Sequence, residues 1–171
     1  RLKPSIDSWG DYSKQTGTWK IKGKTIEGKS FTLTLAEKGL GLDLGGEPYF
    51  QPLDGSDFAD EPKGSGGLLM AFNQLKLLLT EGDKGFSEYY YLGTEPMDID
   101  TTVDVIVTSK TGVEGRWYFS QAAGTFVGFS SQLYEDTDEC EVVFGPLAEF
   151  EGRKFPKELT VRSGGLEFVN L

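Results

Sequence analysis

Residues 141–168, EVVFGPLAEFEGRKFPKELTVRSGGLEF, decide the architecture. Val142 and Phe144, then Leu159 and Val161, carry the period-two alternation of half-buried strands. Gly152 and Pro156 punctuate the connection between them. The stretch therefore predicts a strand, a turned connection and a returning strand, which is the grammar of an antiparallel sheet.

Working outward, the same period recurs through most of the chain. GTWKIKG sets Trp19 and Ile21 against Lys20 and Lys22, and KSFTLTLA sets Phe31, Leu33 and Leu35 against Thr32 and Thr34. The link through Ile26, Glu27 and Gly28 makes these two a hairpin. GLGLDLGG continues with Leu40, Leu42 and Leu44, and the prolines of EPYFQPL suit a sheet edge. FSEYYYLG, TTVDVIVTS, GRWYFSQ and GTFVGFSSQLY bring the expected total to roughly ten strands. No βαβ alternation appears, so the sheet is expected to be antiparallel.

Three segments depart from the strand pattern. Residues 1–15 read as a lead-in whose Trp9 and Tyr12 dock on the body. Residues 54–66 are rich in Asp, Gly, Ser and Pro and read as a mobile loop. The spacing of Asp54, Asp57 and Asp60 lacks the alternating ligands and terminal Glu of a calcium loop, so no metal is expected. Residues 67–81 read as the one clear helix, with Leu68, Leu69, Phe72, Leu75 and Leu79 at helical spacing and Gly82 as its stop. Leu78 and Met70 widen its apolar face until little of it looks wet.

Composition bounds the function. The 171 residues fit a single domain, and 23 glycines suit many turns better than long helices. A net charge of −10 opposes phosphate backbones and anionic lipid surfaces, so no nucleic-acid partner is expected. The absence of histidine removes serine-histidine and cysteine-histidine chemistry and histidine-based zinc sites. Cys140, between Glu139 and Glu141, is a poor nucleophile candidate because both charges oppose the thiolate. No stretch of about 18 apolar residues exists, so no transmembrane helix is expected. The opening RLKPSIDSWG, with neither initiator Met nor apolar signal core, reads as a mature product or an excised domain.

Among polar candidates, Asp104, Glu114, Glu139 and Glu141 lie on or beside strands and are the carboxylates open to a hydrolase reading, against a solvated-face reading. Tyr89, Tyr90 and Tyr91 are consecutive on a strand, so at most two share a surface, and one or two are expected in the core. Arg153, Lys154 and Lys157 cluster in the final turn, either to dock an acidic partner or as a solvated tip. No catalytic constellation and no cofactor are expected.

The segments RWYFSQAAGTFVGFSSQL and CEVVFGPLAEFEGRKFPKELTVRSGG resemble the C-terminal half of the bacterial lipoprotein-carrier (Lol-type) superfamily, through Trp117, Phe119, Gly124, Phe144, Gly152, Phe155, Pro156 and the run 159–162. More narrowly, they are similar to such domains appended to secreted bacterial proteins, including trypsin-like and PDZ-containing proteases. The resemblance implies a strongly curved antiparallel sheet, an incomplete barrel, with one or two helices plugging its concave face. It also implies a periplasmic or secreted location and a cavity for a lipid or acyl chain. Trp19, Phe31, Leu33, Leu35, Trp117 and Phe119 would line that cavity, with Phe72 and Leu75 of the helix closing it. The alternative is a filled core, with the domain attached to a secreted protease as a regulatory or structural protein-interaction module whose acidic face or strand edge meets a protein partner.

Overall fold

The alternating runs resolve into two antiparallel sheets that are not closed into a barrel, in a mainly β chain. The computed structural model describes residues 2–55 and 57–171; Arg1 of the lead-in and Ser56 of the loop 54–66 lie outside the described residues. The first sheet is a meander of Trp19–Lys24 (β1), Ser30–Leu35 (β2), Gly39–Asp43 (β3) and Tyr49–Pro52 (β4), in that order. Leu33 pairs with Leu42 and Leu35 with Leu40, which puts four leucines on one buried face. β4 is an edge, where Pro52 withholds no ladder donor that a neighbour needs.

The second sheet has seven strands. Glu88–Pro96 (β5), Thr102–Lys110 (β6), Val113–Ser120 (β7), Phe126–Gln132 (β8) and Cys140–Phe144 (β9) follow one another across it; Leu159–Ser163 (β12) and Leu166–Asn170 (β13) complete it beyond β9. Ile106, Trp117, Phe129, Val142 and Val161 stand side by side across β6, β7, β8, β9 and β12. Cross-strand partners point to the same face, so this row is one wall of the core. Val103, Val105, Val107 and Tyr118 alternate to the opposite face, where Met97 and Val127 join them in a second, smaller cluster.

The connection between β9 and β12 corrects the reading of a simple turn. Leu147–Phe150 (β10) and Arg153–Pro156 (β11) form their own hairpin there, separate from both sheets. Its two-residue loop, Glu151 and Gly152, has φ of 49° and 76°, the type I′ geometry that matches strand twist. Thirteen strands are present among the described residues, the additional three being β10, β11 and β13.

The lead-in is also more regular than expected. Leu2–Asp7 forms a short helix (α1), in which Pro4 falls within the first turn, where its missing N–H costs no helical bond. Beyond α1, Trp9 is buried against Phe126 and Phe144, both with ring centroids at 5.1 Å. The backbone N–H of Lys154 donates to the Trp9 carbonyl at 2.6 Å, and the Tyr12 hydroxyl donates to the Lys154 carbonyl at 2.6 Å.

Leu68–Glu81 (α2) lies between the sheets, touching β2 and β3 on one side and β8 on the other. That placement explains its nearly continuous apolar surface. The loop before it is tied down at several points. Asp60 accepts the backbone N–H groups of Gly64 and Gly67 at 2.7 and 3.0 Å, and the Ser65 hydroxyl accepts that of Leu68 at 3.0 Å. The bonds to Gly67 and Leu68 satisfy donors that the start of α2 leaves open.

Candidate functional site

The eight residues named for an apolar cavity occupy two kinds of place. Phe31, Leu33, Leu35, Phe72, Leu75, Trp117 and Phe119 are each at most 6% exposed and belong to one continuous core. Phe72 meets Phe129 edge-on at 6.4 Å, and Trp117 stacks on Phe129 at 5.0 Å, so side chains of α2 and the large sheet fill the space between them. Trp19 stands apart and is half-buried. Its indole N–H donates to the Gln15 carbonyl at 2.6 Å, and the Lys76 ammonium lies 5.9 Å from its ring centre. Trp19 lines a groove of about 300 Å³ with Tyr12, Phe150, Arg153 and Phe155.

The four carboxylate candidates are divided by the sheet. Alternation puts Asp104 on the α2 face of the large sheet and Glu114 and Glu141 on the opposite face. Asp104 is buried and accepts the Tyr91 hydroxyl at 3.1 Å. Glu139 and Glu141 line one shallow cavity of about 240 Å³, in which the Arg162 guanidinium lies 3.5 Å from Glu141. The basic tip is partly spent inside the molecule: Arg153 lies 5.7 Å from the Tyr12 ring centre and contacts Glu151 at 3.1 Å.

A larger cleft, of about 700 Å³, opens between the lead-in and the end of α2. Ile6, Tyr12, Leu78, Leu79 and Tyr89 supply its apolar walls. Asp7, Asp11, Glu81 and Asp83, all exposed, stand around it, and among the described residues no Lys or Arg lines it. Burial, aided by the charge of Asp83, holds the Tyr89 phenol above its ordinary ionisation range, and burial does the same for Tyr12. Asp11 is held below the usual carboxylate range by hydrogen bonds from the Ser13 hydroxyl and backbone N–H.

Tyr89 also belongs to β5, the outermost strand of the large sheet. The expectation that one or two of its tyrosines sit in the core is corrected. Tyr89, Tyr90 and Tyr91 are 36%, 48% and 57% exposed, and Leu92 is 45% exposed. Only β6 pairs with β5 among the described residues, so β5 is the edge of the large sheet and these side chains lie partly exposed at it. From 85 to 109 the chain carries Glu88, Glu95, Asp98, Asp100 and Asp104 and no Lys or Arg. The sequence reading missed the cleft because its walls come from the lead-in and from the end of α2, with the whole first sheet between them.

No family model matches the chain, and no curated protein or solved structure matches it.

Proposed function

We propose that the protein is a non-catalytic protein-interaction domain that meets its partner at the β5 edge. The observation that carries this reading is the run of exposed Tyr89, Tyr90, Tyr91 and Leu92 on β5, an edge strand that pairs with β6 alone among the described residues, beside the acidic cleft. Soluble proteins ordinarily blunt such edges, and an edge left both apolar and open is the surface on which strand addition occurs. The alternative reading, an acyl chain held between α2 and the large sheet, draws no comparable support, since seven of its eight residues pack against one another. The resemblance to Lol-type domains of secreted bacterial proteins favours the bacterial envelope as the setting.

Panning a phage-displayed library of unstructured peptides on the immobilised protein tests the reading. The expected outcome is a selected sequence pattern whose synthetic peptide binds saturably and competes with Tyr90→Asp-sensitive phage. Failure to enrich any sequence, combined with saturable uptake of a fluorescent fatty acid, would reverse it in favour of the lipid alternative.

A further inference from the structure

We infer that the cleft between the lead-in and the end of α2 is a subsite for an arginine or lysine side chain, presented by an extended partner segment that pairs with β5. This rests on the protein-interaction reading and adds the chemistry of the partner.

The geometry links edge and cleft through one residue. Tyr89 pairs with Thr108 and Tyr91 with Ile106, so both lie on the α2 side of the large sheet, the side on which the cleft opens. In any added strand the residue opposite Tyr89 directs its side chain to that same side. The ladder shifts register between Tyr91 and Gly93, so the uninterrupted docking frame is 88–91, at the cleft end of the strand.

The cleft fits a long aliphatic stem that ends in a cation. Leu78, Leu79 and Ile6 offer apolar contact to methylenes, and Tyr89 offers a ring face to an ammonium or guanidinium. Asp7, Asp11, Glu81 and Asp83 supply four negative charges, and no described Lys or Arg lines the cleft beside them. The helix adds to this: α2 ends at Glu81 with no basic residue in its last turn, so the negative end of its dipole faces the cleft without a cation from its own sequence. Lys84, just beyond, does not line the cleft.

A second copy of the chain is a poorer occupant. Each copy carries a net charge of −10, and antiparallel pairing of β5 with itself about Tyr91 and Leu92 sets Glu88 against Glu95 on both sides of the pair. A basic extended segment from another protein meets complementary charge throughout.

Fluorescence anisotropy with a labelled hexapeptide of alternating valine and arginine tests the inference, alongside the same peptide with arginine replaced by neutral, nearly isosteric citrulline. The arginine peptide is expected to bind saturably, and citrulline to weaken it about tenfold. The double variant Glu81→Gln/Asp83→Asn is expected to weaken the arginine peptide by a similar factor, while Glu27→Gln/Glu37→Gln, of equal charge change on the far sheet, leaves it unaltered. Equal affinity for both peptides, or an equal response to both double variants, overturns the cation subsite while a panned peptide that still binds keeps the parent reading. Loss of binding by panned peptides as well removes the parent reading. Concentration-dependent self-association that competes with the peptide would make a second copy the occupant and overturn the inference.

Discussion

The indole N–H of Trp117 donates to the hydroxyl of Thr108 at 2.9 Å, between the adjacent interior strands β7 and β6 of the large sheet, with both residues 0% exposed. Gly115, the cross-strand partner of Thr108, makes room for the pair: a methyl group there would stand 2.8 Å from the Thr108 Oγ1 and 3.2 Å from the indole. Thr108→Val keeps the shape but strands a buried donor, which costs about 1–3 kcal/mol. Urea unfolding of Thr108→Val, with Thr108→Ser as the rescuing variant, measures it. Equal stability of Val and Ser variants would show that the bond contributes nothing.

Gly115→Ala acts on the same contact from the other strand. Its backbone is not left-handed, so the effect is steric, and overpacking of this kind costs about 1–3 kcal/mol. Tryptophan fluorescence should shift as the indole moves, and the double variant with Thr108→Ala should recover part of the loss. A shortfall confined to stability, with no spectral change, would point away from Trp117.

Cys140 is fully buried, and burial pushes its thiol up, with the charges of Asp60, Glu139 and Glu141 adding to the effect. A thiolate reagent at pH 8 should therefore leave the native protein unlabelled for hours and modify it once in denaturant. Native labelling at the rate of an exposed peptide thiol would contradict the burial of β9.

Burial of Tyr118 makes stability fall at alkaline pH. Burial, partly offset by its 2.9 Å hydrogen bond with Ser130, pushes its phenol up to about 12 from the usual 10.0. Between those values the unfolded chain has lost the proton and the native chain has kept it, so stability falls as pH rises. The contribution is complete below pH 10 and is lost as pH passes 12, about 3 kcal/mol in all from this residue. Tyr12 and Tyr89 shift in the same direction, so they steepen the decline. Thermal melts from pH 8 to 11, compared with Tyr118→Phe, should show a shallower alkaline decline in the variant.

Where one face of a strand is dry and the other wet, alternation announced the strand, as in Phe31, Leu33 and Leu35 of β2 or Trp117 and Phe119 of β7. The β10–β11 hairpin gave no such signal because its apolar side chains do not alternate with burial: Phe150 is 68% exposed and Leu147 39%, while Phe155 packs on Trp9 and Pro156 is buried. Its turn signal, Glu151 and Gly152, is a weaker dipeptide than the Asn-Gly that marks such loops. Pro4 concealed α1 by reading as a loop residue. The split into two sheets around α2 was also hidden, since periodicity tells a strand which side is dry but not which partner dries it. The tyrosines of β5 misled for a related reason: their core or surface role depended on whether β5 has a second neighbour, and pairing order is a long-range property.

The lead-in is held by Trp9, and its removal reports on both stability and the cleft. The side chain is 1% exposed among Phe126, Phe144 and Phe155, so Trp9→Ala should cost about 3–5 kcal/mol if the site collapses little. Gly10, with φ of 98°, presses against the β10–β11 loop so closely that a methyl group would lie 2.5 Å from the Gly152 carbonyl oxygen, and Gly10→Ala should release the same segment by a different route. Ile6, Asp7, Asp11 and Tyr12 form one wall of the cleft, so both variants should raise amide exchange along the lead-in and weaken binding of an arginine peptide together. Phe72→Leu, two helical turns earlier on α2 and outside the cleft lining, should leave that affinity intact. Equal weakening by Phe72→Leu would mean that affinity follows global stability, and the lead-in would lose its place in the site.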